Sequence, residues 1–300
     1  MDQALFVFVA VVERGSFTRT AEELHMTQPA VSQYIAALER TSGAKLLERT
    51  NKYIRMTKAG EIVYHHAKEI IGLYARMQNL VDDLSQVASG GISIGASYTF
   101  GEYVLPHVIG RLRDRYPLIR PAITIGNTKE IAELITHHKI DVGIIEGEYE
   151  DKKLLIQPFA EDIMEVVVAE NHRLHSESRA TSKELQSETW IVRESGSGTR
   201  EATDRLFAQL QLLPASVMEF GSTQIIKESV EAGLGITLLS QWAIRKETAL
   251  GTLRTIPAEG TPVTRQFSLV TGVAPYHTKA AQLFIDLLQE GEWAAGKLLR

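Results

Sequence analysis

Cysteine is absent from the 300-residue sequence. Its absence excludes disulfide bonds, thiolate metal sites and thiol-based redox sensing. Long apolar runs are also absent, since no stretch approaches the roughly 18 consecutive apolar residues that a membrane-spanning helix requires. The apolar residues 5–12 follow Asp2 and precede Glu13 and Arg14, which is unlike an export signal and predicts a buried first helix. We therefore expect a cytoplasmic protein that has no membrane partner.

Signatures of catalysis and of metal binding are missing as well. We find no nucleophile elbow, phosphate-binding loop or zinc-protease motif. Two pairs of adjacent histidines occur, His65-His66 and His137-His138, but neighbouring side chains on a helix point about 100° apart and do not converge on one ion. The sequence therefore predicts no catalytic residue, no metal site and no cofactor.

Basic residues are concentrated in one part of an otherwise acidic chain. The whole sequence has a formal net charge of −5, whereas residues 40–58 contain six basic residues and one acidic residue, a net charge of +5. Such a run is often only a solvated surface, and contact with nucleic-acid phosphates is the alternative. The preceding segment favours phosphate binding, for which we expect Arg49, Lys52 and Arg55.

That preceding segment has the spacing of a short amphipathic helix. Val31, Ile35 and Leu38 recur at steps of four and three and so share one stripe. Thr27 is a plausible N-cap, and a proline follows in the first turn. The opposite face carries short or amide-bearing side chains that can reach base edges. The predicted DNA contacts on this helix are Thr27, Gln28, Pro29, Ser32 and Gln33.

Residues 16–24 predict a second short helix, with Ser16 or Thr18 as its N-cap. His25 and Met26 remain for the turn between the two helices. Two short helices, a tight turn and a basic hairpin together form the layout of a winged helix-turn-helix.

Three motifs carry a resemblance to a known family. The sequence has TQPAVS in the second of these helices, LERTSGAKLLER at the entry to the basic hairpin and MTKAG after it. These motifs resemble the DNA-binding segment of LysR-type transcriptional regulators, with Thr20-Ala21 where the family often has two alanines and Met56 where it has leucine. The resemblance implies a non-enzymatic homo-oligomer, a dimer of dimers, that binds double-stranded promoter DNA at an imperfect inverted repeat. RNA polymerase is a further partner to consider.

The next segment predicts a long helix. Between residues 58 and 88 there is no proline, and apolar residues recur at alternating steps of four and three. A heptad pattern of this kind favours pairing with a second helix, although packing on its own domain is the alternative. In the family, the matching segment is the dimerising linker helix. The seam consists of Val63, Ala67, Ile70, Tyr74, Met77, Val81, Leu84 and Ala88.

Beyond Gly91, short β-rich runs alternate with helical stretches, which predicts an α/β fold. The pattern includes a helix over 103–116 and a strand over 162–169. It resembles the two-lobed, periplasmic-binding-protein-like effector domain of the LysR family. The expected organisation is an all-α winged helix-turn-helix domain at 1–58, a linker helix at 59–90 and an effector domain at 91–300. Lobe I would comprise 91–161 and 267–300, and lobe II would comprise 162–266.

A ligand of such a module is expected between the lobes, at the carboxyl ends of strands and the amino ends of helices. Glu146 would repel an oxyanion there unless Arg193 or Arg200 pairs with it, and a bound amine is the alternative. The predicted effector contacts are Ser97, Tyr98, Thr99, Phe100, Thr128, Glu146, Ser195, Ser197, Thr199 and Arg200.

The GSGTR loop and the EG strand end resemble, more faintly, the LysR branch that controls sulfur assimilation, cysteine synthesis or carbon fixation. This resemblance implies a small anionic effector such as a sulfur oxyanion or an O-acetylserine-like compound. The other class of function is a cytoplasmic solute-binding or enzymatic α/β domain whose N-terminal segment only mediates assembly. The recognition face and the basic hairpin favour the ligand-responsive regulator.

Overall fold

The computed structural model of the chain describes residues 3–49, 54–82, 89–176, 179–273 and 277–291. The chain divides into two compact units, Met1–Leu84 and Ser85–Arg300. Within the described ranges, no helix combines the length and the apolar character needed to cross a membrane.

The first unit is a three-helix core with a two-stranded wing and a long helix. Ser16, one of the two predicted caps, accepts a hydrogen bond from the Arg19 N–H, and Thr27 caps the third helix as expected. A buried apolar core that includes Phe8, Val31 and Ile35 holds the helices together. The elements are α1 (Gln3–Arg14), α2 (Phe17–Glu23), α3 (Gln28–Ser42), β1 (Leu47–Arg49), β2 (Ile54–Met56) and α4 (Lys58–Asp82).

The predicted seam of α4 divides into two parts. Ala67 is buried and Val63 packs against the core of the first unit. Further along, the apolar side chains of the seam are 37 to 56% exposed, namely Ile70, Tyr74, Met77 and Val81. Leu84 and Ala88 lie outside the described residues. Packing within the first unit therefore explains why Val63 and Ala67 are apolar, but it does not explain why the four exposed seam residues are apolar.

Lobe I of the second unit is built on three parallel strands. β3 lies between β4 and β5, and helices cover the sheet. The helix predicted over 103–116 is present as α6 (Leu105–Arg115), which begins two residues later, with Pro106 in its first turn; a short helix that was not predicted, α5 (Tyr98–Tyr103), precedes it. The elements are β3 (Gly90–Ser97), α5 (Tyr98–Tyr103), α6 (Leu105–Arg115), β4 (Ile119–Gly126), α7 (Thr128–Thr136), β5 (Val142–Glu146) and α12 (Lys279–Gln289).

Lobe II has its own buried core, which includes Trp190 and Leu206. Its strands β7 (Thr189–Arg193) and β8 (Ser216–Phe220) form a parallel pair, whereas β9 (Thr237–Ser240) and β10 (Leu253–Ile256) pair antiparallel with the long strand β6 (Leu154–Ala169). The elements are β6 (Leu154–Ala169), a 3-10 helix (Arg173–Ser176), α8 (Ser182–Gln186), β7 (Thr189–Arg193), α9 (Gly198–Leu210), β8 (Ser216–Phe220), α10 (Thr223–Glu231), β9 (Thr237–Ser240), α11 (Gln241–Leu250) and β10 (Leu253–Ile256).

Two long antiparallel strands, β6 and β11 (Val263–Gly272), run through both lobes. The predicted strand over 162–169 is therefore only the second half of β6, which has 16 residues. The predicted lobe boundaries fall within these two strands. Their pairing shifts register between Phe267 and Ser268, beside Pro158. Since proline has no N–H for a strand ladder, an irregularity is expected there.

Candidate functional site

The recognition surface lies on α3, on the side away from the buried apolar stripe. Ser32 is half-buried and the other four predicted residues are exposed. The Gln28 Nε2 donates a hydrogen bond to the Ser32 Oγ at 3.2 Å, so these two side chains hold each other on the surface. The structure thus brings together, on one exposed patch, Thr27, Gln28, Pro29, Ser32 and Gln33.

The predicted phosphate contacts belong to the wing. Arg49 ends β1, and Arg55 lies on β2 opposite Glu48, with its side chain exposed. The side chain of Arg49 and the whole of Lys52 lie outside the described residues. The wing therefore carries basic residues on both of its strands next to the recognition helix.

In the second unit, a cavity of about 460 Å³ lies between the lobes. Lobe I contributes the amino end of α7, and lobe II contributes the loop before α9 together with the first turns of α9. The lobes are joined at this edge, because the Lys129 N–H donates a hydrogen bond to the Gly196 carbonyl at 3.2 Å. The cavity is lined by Thr128, Lys129, Glu148, Tyr149, Ser195, Gly196, Ser197, Gly198, Arg200, Glu201 and Asp204.

Two helices begin at the cavity. Asn127 and Glu130 form a capping box at the start of α7, and the Ser197 hydroxyl caps α9 by accepting from the Thr199 N–H. The amino end of a helix carries partial positive charge, which suits an anion. The Lys129 ammonium adds a full charge, and its Nζ lies 4.0 Å from the carboxylate of Glu133. Lys129, missed in the sequence, follows directly on the predicted contact Thr128.

Beneath the cavity, three predicted residues are buried and bonded to one another. The Ser97 and Thr128 hydroxyls lie 3.3 Å apart, and the Thr128 hydroxyl donates to the Glu146 carbonyl at 2.9 Å. The N–H of Phe100, another predicted effector contact, donates to the Glu146 carboxylate at 3.0 Å. The Phe100 ring packs in the core of lobe I against Phe267. Both the N–H and the ring of Phe100 are therefore engaged inside lobe I.

Glu146 is paired, but with neither of the predicted arginines. Its carboxylate lies 3.0 Å from Nη1 of Arg265, a residue on β11 that the sequence patterns did not single out. The alternation along β11 is a signal for Arg265, because residues 263, 265 and 267 are buried whereas residues 264 and 266 between them are exposed. An arginine at an inward position of such a strand requires a buried partner.

Arg265 connects both lobes and both long strands. Its Nε donates to Asp162 on β6 at 2.8 Å. Its two terminal nitrogens donate to Thr99 of lobe I and Thr199 of lobe II, each at 2.9 Å. Burial raises the pKa of Asp162, and Arg265 and Ser240 act in the opposite direction. The predicted contacts Thr99 and Thr199 are therefore engaged with this guanidinium.

The two arginines expected to pair with Glu146 hold other carboxylates. Arg193 is buried, binds Glu194 through two bonds of 2.7 Å, and lies 4.2 Å from the centre of the Tyr98 ring. Burial opposes ionisation of Glu194, but the Arg193 guanidinium holds the pKa of Glu194 below its usual range. Arg200 lines the cavity with its guanidinium bonded to Asp204 at 2.9 Å and Glu219 at 2.6 Å.

Comparison with known proteins gives two family matches that together cover most of the chain. Residues 3–61 match the bacterial regulatory helix-turn-helix protein family, lysR type, and residues 85–293 match the LysR substrate binding domain. The HTH-type transcriptional regulator CysL of Bacillus subtilis is 34% identical over 285 residues, with 95% of each chain covered. A probable RuBisCO transcriptional regulator of Cyanophora paradoxa is 31% identical over 290 residues, covering 95% of this chain and 90% of the relative.

A solved structure is also similar to the second unit. The regulatory domain of Synechocystis PCC6803 CcmR, in complex with 2-PG, superposes with a TM-score of 0.63 at 27% identity. The match covers 68% of this chain and 97% of that one.

Proposed function

The chain belongs to the LysR family of DNA-binding transcriptional regulators, a non-enzymatic family, and on that premise we propose that a small anionic metabolite bound between its lobes controls its activity. The observation that carries the proposal is the pair of helix amino ends, from α7 and α9, at one cavity of about 460 Å³. Cavities of about 300–1,000 Å³ are typical of small-molecule sites.

The buried charges restrict where an anion binds. Among the described residues of the second unit, three basic side chains are buried, and each contacts an internal carboxylate. An anion that displaced one of these carboxylates would separate it from its cation, at a cost of several kcal/mol for the buried Glu146 and Asp162 and less for the partly exposed Glu194 and Glu247. The pairs are Arg193 with Glu194, Lys227 with Glu247, and Arg265 with both Glu146 and Asp162.

The anion therefore binds in the outer cavity, beside Lys129. The Lys129 ammonium is exposed, and among the residues that the structure describes its one ion pair is the loose contact with Glu133 at 4.0 Å. The hydroxyls of Ser195 and Ser197 and the amino end of α9 lie across the cavity. Glu148, Glu201 and Asp204 also line the cavity and would disfavour a large, highly charged anion.

The regulated pathway belongs to the same proposal. The relatives include a probable RuBisCO regulator and a domain solved with 2-PG, and both support the faint resemblance to the carbon-fixation and sulfur branch. We place sulfur or cysteine metabolism beside carbon fixation as the candidate pathways. The regulator would act in the cytoplasm on an inverted repeat, as a dimer of dimers, with RNA polymerase as a further partner.

Calorimetry on the full chain tests the effector. We would titrate sulfate, thiosulfate, O-acetylserine and 2-PG into the wild type, Lys129→Met and Lys139→Met. Losing a charge-assisted hydrogen bond costs about 1.5–3 kcal/mol, which is a loss of about 10- to 100-fold in affinity for Lys129→Met. Lys139 is exposed and does not line the cavity, so Lys139→Met serves as the matched control. Equal affinity of the two variants for the anions, or binding of O-acetylserine alone, which is a zwitterion without net charge, would refute the proposal.

A further inference from the structure

Glu39 is a buried acid in the last turns of the recognition helix α3, with only 7% of its side chain exposed. Its Oε1 accepts hydrogen bonds from the N–H groups of Leu46 at 3.0 Å and Leu47 at 3.3 Å. Its Oε2 accepts from the Lys45 Nζ at 2.7 Å. Burial acts to raise the pKa of Glu39, but these three donors prevail and hold it below its usual range.

The same short segment is held from its other side by the start of α4. The Thr57 hydroxyl donates to the Lys45 carbonyl at 2.6 Å, and the Thr57 N–H donates to the Leu46 carbonyl at 3.0 Å. Gly60 allows this close approach, because a Cβ there would lie 2.1 Å from the Leu46 oxygen. Residues 45–47 are therefore bound to α3 through their N–H groups and to α4 through their carbonyls.

The wing begins at this segment. Leu47 is the first residue of β1 and pairs with Met56 at the end of β2. A two-stranded ribbon of three residues per strand has little stability of its own, so its direction depends on how its base is anchored. Glu39 supplies the anchor that comes from the recognition helix itself.

We propose that Glu39 is a positioning residue for DNA binding, whose carboxylate fixes the angle between the wing and α3 so that both contact the same DNA site. Glu39 itself makes no DNA contact, because its carboxylate is buried and is turned toward the segment 45–47. Glu39 and the wing both lie in the first unit, so this role of Glu39 does not depend on the identity of the effector.

The sign of the expected effect separates positioning from simple electrostatics. Removing a negative charge near a DNA-binding surface by itself strengthens binding, because less repulsion opposes the phosphates. Loss of the anchor weakens binding, because the wing arginines no longer reach their phosphates while α3 occupies the groove. Glu22 is an exposed acid on α2, and Glu22→Gln therefore measures the electrostatic effect alone.

The experiment measures DNA affinity by fluorescence anisotropy over a series of salt concentrations, with the full chain. The probe is a duplex that the wild-type protein selects from random-sequence DNA. For Glu39→Ala we expect affinity to fall at least about tenfold, which corresponds to the loss of one charged hydrogen bond between the wing and a phosphate. Log K decreases as log salt rises, and this decrease should become shallower by about 0.9 for each phosphate that the wing no longer neutralises. Glu39→Gln keeps an acceptor oxygen and should lie between Glu39→Ala and the wild type.

Thr57→Val removes the hydroxyl bond from the α4 side and should shift the slope in the same direction, whereas Glu22→Gln should bind no more weakly than the wild type. A folded Glu39→Ala with wild-type affinity and slope would overturn the proposal. Lower thermal stability with an unchanged slope would also overturn it, since it would show a merely structural role. If Glu39→Ala does not fold, wild-type slopes for both Glu39→Gln and Thr57→Val would overturn it.

Discussion

Single residues show what the sequence can and cannot predict at the finest scale. Gln28 and Gln33 were predicted correctly as surface residues of one helix, because the stripe and the surface of a helix follow from spacing within about two turns. The partner of Glu146 is Arg265, which was not among the two arginines considered for it. Arg265 lies more than 100 residues further along the chain, and only the antiparallel pairing of β11 with β5 brings it near Glu146.

Arg265 carries a prediction about stability. Arg265→Ala leaves the buried carboxylates of Glu146 and Asp162 without their cation, and we expect the free energy of unfolding of the second unit to fall by about 3–5 kcal/mol. The three tryptophans all lie in the second unit, so tryptophan fluorescence during urea denaturation reports on that unit. The matched control combines Arg265→Met, Glu146→Gln and Asp162→Asn, which removes every charge and should recover most of the stability. An Arg265→Ala variant as stable as the wild type would contradict this account.

Gln33 and Arg55 should affect DNA binding in different ways. Gln33→Ala should cost about 1–3 kcal/mol on the preferred site and relax the preference at one base position, because an amide reads base edges. Arg55→Ala should weaken binding to all sequences alike and lower the salt slope by the amount expected for about one phosphate. Competition with scrambled duplexes across salt concentrations distinguishes the two. Arg113→Ala, an exposed arginine of the second unit, is the control. Equal loss of sequence preference in both variants would contradict these roles.

Elements show where a periodic pattern succeeds and where it fails. The helix α4 follows from its spacing alone, whereas the first half of β6 does not, because Pro158 interrupts the run that would indicate a strand. The structure accommodates this proline beside the register shift at Phe267 and Ser268. Local periodicity therefore predicts elements that are regular, and tertiary pairing decides the others.

The exposed part of the α4 seam carries a prediction about assembly. A charge placed within an apolar helix pair is buried on association, so Met77→Glu should shift the protein toward the monomer. Size-exclusion chromatography with light scattering measures the change. Ala75 is also exposed but lies off the seam, so Ala75→Glu is the matched control and should keep the wild-type mass. If Met77→Glu also keeps the wild-type mass, the seam is not the dimer contact. Loss of binding to an inverted repeat should accompany the loss of the dimer.

At the scale of the whole molecule, short motifs were sufficient for the family but not for the ligand. The helix-turn-helix motifs are continuous in sequence, so one segment identifies the DNA-binding unit. The cavity instead takes its lining from three separate segments, near residues 128, 148 and 195–204. Its charge balance depends on pairings among side chains, such as that of Arg200 with Glu219, that no local pattern reveals.

The proposed control of DNA binding by an effector makes a reciprocal prediction. If the effector changes the affinity for DNA by some factor, DNA must change the affinity for the effector by the same factor, typically about 5- to 150-fold. Calorimetry of the effector with and without saturating duplex gives one factor, and anisotropy of the duplex with and without effector gives the other. Lys129→Met should bind DNA like the wild type without effector, since Lys129 lies in the second unit, and should lose the response to it. Equal effector affinity for the free and the DNA-bound protein would show that the ligand, even if it occupies the cavity, does not regulate binding, because a ligand shifts an equilibrium only through a difference in affinity.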